Sequence, residues 1–470
     1  MQRSIPAVAA YGLALVVALA LACDLLWMPI QVADSLGEML DARRSPSAWA
    51  SFTGNFGTEA YLRPFRIAQI KALFDLAQGS QYWLVYRGFH AALAVAALLL
   101  FTRALRVTAA ADVAAAAFAL AVLTGLHTFQ GTVREAFPIN HFLEVAVFCL
   151  LTLNLARSRG GAWVDAAALL SLLAAALTIE SGVLVWVVAA SAWAVGWRGI
   201  SRRGLAMMTI LLAAYLFLRF GYLSTGVPAL SERSSGYLLR LLDPPELQAR
   251  FGSQPLWFYT YNVAASAASV LFSEPRAGVF EAVRGWLEAR PLPRSIIPVS
   301  TSIVTTGMIA WALLGRPVSW RVLDDTKRLI LVGVAVLGAN AVLSFAYTKD
   351  EIVSTAGVFY ALAAFAAVRA MLSAPRTGGA VQVLLALVLC ALSAGWAVRS
   401  VGLHYVLRSQ ALKHQIDWVT LPYDWRRNQE WPSDPADERL ILQLRSEAVR
   451  VALPNTRAER PEWPAHVWTE

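Results

Sequence analysis

The sequence predicts an all-α protein, a polytopic membrane bundle of about eleven transmembrane helices, and three observations predict it. Of its 470 residues 57% are hydrophobic and only 15% charged, against about 25% charged in a soluble domain. Apolar runs of about twenty residues, enough to cross a bilayer at about 1.5 Å per residue, recur along the chain. Many of the 17 Trp, 13 Tyr and 20 Phe stand where such runs end, the placement of rings at a membrane–water boundary. A soluble enzyme is excluded.

The first run, 6–28, follows Arg3 and reads as a retained helix. It is long enough to span, and Ala20 stands where a lipoprotein signal more usually has Leu. Further runs cover 82–105, 111–129, 139–155, 163–178, 181–197, 204–223, 296–314, 329–347, 352–371 and 380–401. The run 257–272 is shorter, and positive charge decides its fate, because Lys and Arg accumulate in cytoplasmic connectors. Arg103 and Arg106, Arg157 and Arg159, and Arg198, Arg202 and Arg203 fall in alternate connectors, all on the starting side. If 257–272 crossed, the connector with Arg316, Arg321, Lys327 and Arg328 would face outward. Left interfacial or reentrant, it keeps that connector inside, so the expected topology has a cytoplasmic N terminus and an extracytoplasmic C terminus. The expected location is a bacterial inner membrane.

Two domains follow: a transmembrane unit over 1–401, with long outer loops at 29–81 and 224–295, and a small extracytoplasmic tail over 402–470. Outer loops of such length are uncommon unless they build a site. The first carries two helical patterns, 33–44 and 66–77, expected along the membrane surface; the second puts Ile67, Ile70, Leu73, Phe74 and Ala77 on one face. Cys23, Cys149 and Cys390 lie inside apolar runs and serve packing. The net charge of +9 sits largely in connectors, leaving no basic domain to bind nucleic acid. The histidines, His90 and His141 among them, show no metal spacing and read as structural, and no phosphate-loop or dinucleotide fingerprint is present.

Asp34, Glu38 and Asp41 follow the first run at helical spacing, so one face would carry three carboxylates. Such a group can take a proton from a hydroxyl, and a pair can hold a divalent cation; the competing reading is a solvated face. Glu59, Arg63 and Arg66 flank Pro64, and arginine forks suit either a phosphate or lipid headgroups. Glu180 occupies a tight outer turn, either facing a wet cleft or simply solvated, while Glu144 and Arg219 lie within runs, where ionisable groups are costly. Arg134 and Lys349 add cations to the same outer side.

These segments, in this order, resemble the GT-C superfamily of multi-span glycosyltransferases. Acids follow the first span, Tyr61-Leu62-Arg63-Pro64 precedes Leu73-Phe74, and Tyr86-Arg87-Gly88-Phe89-His90 opens the second span. Thr178-Ile179-Glu180-Ser181 is similar to that family's Lys-Glu-Thr turn, and Tyr347-Thr348-Lys349-Asp350-Glu351 to its late basic outer loop. The likeness covers roughly 1–400 and departs at Ala33, where an adjacent acidic pair would need a second acid, and at Ile179, which stands for Lys. The resemblance implies transfer of a sugar from a polyprenyl-phosphate-linked donor to the hydroxyl of a glycan, lipid or protein acceptor at the extracytoplasmic face, with inversion. It implies Asp34 as base with Glu38 beside it, and Glu59, Arg63, Arg66, Arg134, Glu180 and Lys349 around the substrate. A divalent cation at Asp34 and Glu38 is the one cofactor the set accommodates. The alternatives are a carrier or flippase for an amphipathic solute, and a catalytically inactive scaffold of the same fold.

Overall fold

In the computed structural model the described residues are 5–28, 35–57, 61–77, 79, 81–134, 138–223, 245, 248–249, 252, 255–272, 288–289, 296–315, 323–346, 350–373, 379–420 and 434–451. No strand occurs among them. The helices are α1 (Ile5–Trp27), α2 (Ser35–Arg44), α3 (Ala48–Gly54), α4 (Pro64–Leu76), α5 (Tyr82–Leu105), α6 (Ala110–Gly125), α7 (His127–Arg134), α8 (His141–Ala156) and α9 (Ala162–Thr178). They continue as α10 (Leu184–Ala194), α11 (Arg202–Leu216), α12 (Pro255–Leu271), α13 (Ile296–Leu314), α14 (Asp325–Leu343), α15 (Ser354–Leu372), α16 (Gly379–Thr420) and α17 (Pro435–Val451). Short 3-10 turns cover Asn55–Gly57, Glu180–Val183 and Asp350–Val353, and α11 ends in a π-helical segment, Phe217–Tyr222.

Seven of the described helices are long and apolar enough to cross a membrane, or eight if α6 and α7, bent by 66° at Leu126, form one broken span. The expected count of about eleven also took in α8, α9 and the run 180–194, which are apolar but shorter. At 16 and 17 residues α8 and α9 rise about 24 to 26 Å, short of a hydrocarbon core of about 30 Å. The helix α12 is not among the candidate spans, and it packs against α13, α14 and α15.

The bundle is built around α15, in which every residue from Ser354 to Val368 is buried. A helix apolar on all sides needs neighbours on all sides, and α15 has α6, α8, α13 and α14. Seven of its 19 residues are Ala, and small residues let helices approach closely without a hydrophobic force between them. At Gly357 an added Cβ would come within 2.4 Å of the Thr128 hydroxyl, so the contact with α7 needs a glycine there.

The apolar face expected in the segment after α1 is covered by other helices of the protein. Ile70, Phe74 and Ala77 of the expected apolar face join Leu36, Met39 and Ala42 of α2, Tyr82, Trp83 and Tyr86 of α5, and Leu440, Ile441 and Leu444 of α17 in one buried cluster. Tyr86 fixes the arrangement by donating from its hydroxyl to Ile70 O at 2.8 Å. The helix expected to end near residue 401 continues unbroken to Thr420, so the boundary expected at 401/402 falls inside α16. The chain then returns as α17, where Asp434 and Asp437 pair with Arg43 and Asp437 also with Arg44 at 2.7 Å. Glu447 accepts from Gln81 N at 2.9 Å and Trp83 N at 3.4 Å, satisfying donors at the start of α5 that have no partner within the helix. Most of 224–295 lies outside the described residues, as do 421–433 and 452–470.

Candidate functional site

The row of polar residues on α4 organises the site. Pro64 stands at the first helical position, where its missing N–H costs nothing, and the preceding Arg63 donates its backbone N–H to Asn55 Oδ1 at 2.6 Å. From there Arg63, Arg66 and Gln69 follow at intervals of three residues, which puts them on one face. Ile70, Phe74 and Ala77 of the same segment are buried in the apolar cluster with α2, α5 and α17. Each member of the polar row holds one acid, and each acid comes from a different element.

Arg63 grips Glu180 with both arms of its fork, Nε to Oε1 at 3.2 Å and Nη2 to Oε2 at 2.7 Å. The bidentate match of guanidinium and carboxylate fixes orientation as well as charge. Glu180 is delivered by the turn Glu180–Val183, which folds tightly under α9: a Cβ at Gly182 would lie 2.0 Å from Ala175 O, so only glycine fits. A second guanidinium, Arg219, donates from Nη2 to Glu180 Oε1 at 2.9 Å and from Nη1 to the Tyr215 hydroxyl at 3.2 Å. It is presented by the π-helical segment after α11, a local widening that is rare and recurs at functional sites. One carboxylate thus sits between two arginines.

Arg66 pairs with Glu38 of α2. Gln69 donates to Glu144 Oε1 at 3.0 Å, and Glu144 Oε2 lies 3.2 Å from Nδ1 of His141 in the first turn of α8. Arg63, Arg66 and Gln69 follow one another along α4, and this common element brings the three pairs into one region. Within it the Gln69 Oε1, Ser181 Oγ and His141 Nε2 atoms are buried and make no hydrogen bond. Buried polar atoms are nearly always paired in folded proteins, so such exceptions mark places where a partner belongs.

Of the residues the sequence nominated, Glu38, Arg63, Arg66 and Glu180 come together. Arg134 does not join them: its Nε donates to Asp24 of α1 at 2.6 Å, and it pairs also with Gln130. His404 of α16 binds the same Asp24 carboxylate at 2.9 Å. That network joins α1, α7 and α16 inside the bundle. Asp34, Glu59 and Lys349 lie outside the described residues.

His141 and Gln69 complete the cluster and escaped the sequence reading, which took the histidine as structural. The available signal was an acid three residues after it in an apolar run, since an ionisable group there wants a partner one helical turn away. Asp24 carried a similar signal within the first run. His90 has Nε2 lying 2.9 and 3.0 Å from the carbonyls of Thr132 and Val133, and its Nδ1 is buried without a hydrogen-bond partner. Among the described residues no group of three or more His, Cys, Asp or Glu side chains assembles to hold a metal ion. The chain matches no protein-family model, no curated protein and no solved structure.

Proposed function

We propose that the protein is an integral membrane glycosyltransferase that moves a sugar from a polyprenyl-phosphate-linked donor to an acceptor hydroxyl. The observation that carries this reading is the polar row of α4, where Arg63, Arg66 and Gln69 gather Glu180, Glu38 and Glu144 from three distant parts of the chain. Arginine forks held in a partly dehydrated setting stabilise the charge that develops on a departing phosphate. The acids beside them belong to a reaction that also needs a proton acceptor. Glu38 is engaged by Arg66, and Asp34 keeps its nomination from the sequence alone.

In the same reading α8, α9 and α10 cross the membrane, giving eleven passes with the N terminus in the cytoplasm. Two sets of contacts support it. The ends of α5, α8 and α15 that carry Leu105, Arg157 and Arg369 meet the starts of α6 and α14 through the Arg157–Asp325 and Arg369–Asp112 pairs. The α4 row meets the opposite ends of α8, α9 and α11. Apolar helices that alternate between these two ends fit a chain that crosses the membrane repeatedly.

The test is incubation of the purified full chain with labelled polyprenyl-phosphate sugars and an acceptor extract. Labelled glycosidic product is expected, and Arg63→Ala should lower its yield at least tenfold. A carrier is the rival, favoured by the Asp24–Arg134–His404 network, because transporters place charged groups along an internal path. Uptake of unmodified solute into proteoliposomes with no glycosidic product overturns the transferase reading.

A further inference from the structure

The cluster contains a histidine whose chemistry the row of ion pairs does not use. His141 is 3% exposed, and its two ring nitrogens are in different circumstances. Nδ1 faces the Glu144 carboxylate at 3.2 Å, and Nε2 is buried with no hydrogen-bond partner. A carboxylate only accepts, so it holds the proton on Nδ1 and leaves the lone pair on Nε2. Glu144 is fixed in turn: its other oxygen accepts from Gln69 at 3.0 Å, and Gln69 belongs to the same face of α4 as Arg63 and Arg66. Asn140 caps the helix that carries both residues, its Oδ1 accepting from Phe142 N at 3.2 Å. A carboxylate that orients an imidazole and leaves the lone pair of its far nitrogen unengaged is the arrangement of a general base.

We infer that His141, oriented by Glu144 and Gln69, is the group that removes the acceptor's proton, in place of a carboxylate from the first outer segment. The inference rests on the glycosyltransferase reading above. In the step it assigns, the acceptor oxygen forms a bond to the sugar C1 while the bond from C1 to the phosphate oxygen breaks. That electron pair leaves on the polyprenyl phosphate, beside Arg63 and Arg66. The acceptor's hydroxyl proton passes to Nε2 of His141, and the imidazolium keeps its Nδ1–H on Glu144. Loss of that proton to the departing phosphate or to water returns the ring to its starting form. Gln69 and Glu144 are positioning residues, because they act through the ring.

The experiment compares His141→Gln, Glu144→Gln and Asp34→Asn in the full chain, purified in detergent and assayed for glycosyl transfer at varied acceptor concentration. Removing a general base lowers kcat by roughly 10²- to 10⁴-fold, so His141→Gln should fall in that range with KM within about threefold of wild type. Glu144→Gln should also lower kcat, and His141→Gln/Glu144→Gln should be no slower than His141→Gln alone, since residues acting as one unit are not additive. Added imidazole should restore part of the rate to His141→Ala, a rescue that a packing role would not permit. If His141→Gln fails to fold, Glu144→Gln decides, and unchanged kcat there overturns the assignment. A wild type that transfers, with His141→Gln equal to it and Asp34→Asn inactive, overturns the histidine and leaves the transferase standing. A wild type that forms no glycosidic product overturns both.

Discussion

At one end of the bundle Asp112, Asp165 and Asp324 accept from backbone N–H groups, whereas at the other Glu38, Glu144 and Glu180 are held by side chains of α4. Asp112 takes Thr108 N at 2.8 Å and Ala109 N at 2.9 Å and closes the start of α6. Asp165 takes Ser201 N at 2.8 Å and Ser201 Oγ at 2.6 Å, and Asp324 takes Lys327 N at 2.7 Å. These acids satisfy donors that helix starts leave over, and Asp112 pairs in addition with Arg369 at 3.0 Å. The acids on the α4 row bind guanidinium, amide and imidazole groups, which can exchange partners with a ligand without unravelling a helix. Backbone donors dominate among the partners of the first three acids, and side chains of α4 hold the other three.

That contrast can be broken most forcefully at Glu180. Replacing it with Gln leaves Arg63 and Arg219 facing each other without their shared counter-charge, and losing one member of such a part-buried set costs about 1 to 3 kcal/mol. The thermal midpoint in detergent should fall and glycosyl transfer should vanish; a variant as stable as wild type would mean the arginines have another anion. At the other end, Asp165→Asn should cost about 1 to 3 kcal/mol by weakening the bonds from Ser201, while kcat is unchanged. Loss of transfer with stability intact in Asp165→Asn would erase the distinction between the ends.

The smallest effect concerns α17. The Ala436 N–H and then Arg43 hold the Asp434 carboxyl below its ordinary range. A lowered folded-state value means that its contribution is present above the unfolded value of about 3.9 and is lost as pH falls through and below it. Hydrogen exchange in 435–451 should therefore rise between about pH 4 and pH 3 while 354–372 stays protected. Equal acceleration in both segments would show that acid acts on the whole bundle.

Much of the helical frame was readable from hydrophobicity. The runs 82–105 and 296–314 coincide with α5 and α13, because in a membrane protein apolar length is set by the bilayer and is written locally in the chain. The bend at Leu126 was not readable, since α6 and α7 together make one apolar run and only tertiary packing decides where it breaks. Residue 401 looked like a helix end because polarity rises there. Polarity reports departure from the membrane and does not report departure from the helix, so α16 runs on. In the site, Arg63, Arg66 and Glu180 stood out by charge. Their pairing did not, for Arg63 and Glu180 are separated by 117 positions and nothing local records that they meet. Gln69 looked like any surface amide until its neighbours on α4 were known.

The length of α16 has a mechanical consequence. Its 42 residues make a rod of about 63 Å, roughly twice the thickness of a hydrocarbon core. One end begins among the arginine-bearing connectors, and the other leads into the helix clasped by Arg43 and Arg44. A tilt of only about 10° at the foot of such a rod would swing its tip by about 11 Å. A displacement at one end of the rod would thus arrive magnified at the other, where α17 packs against it.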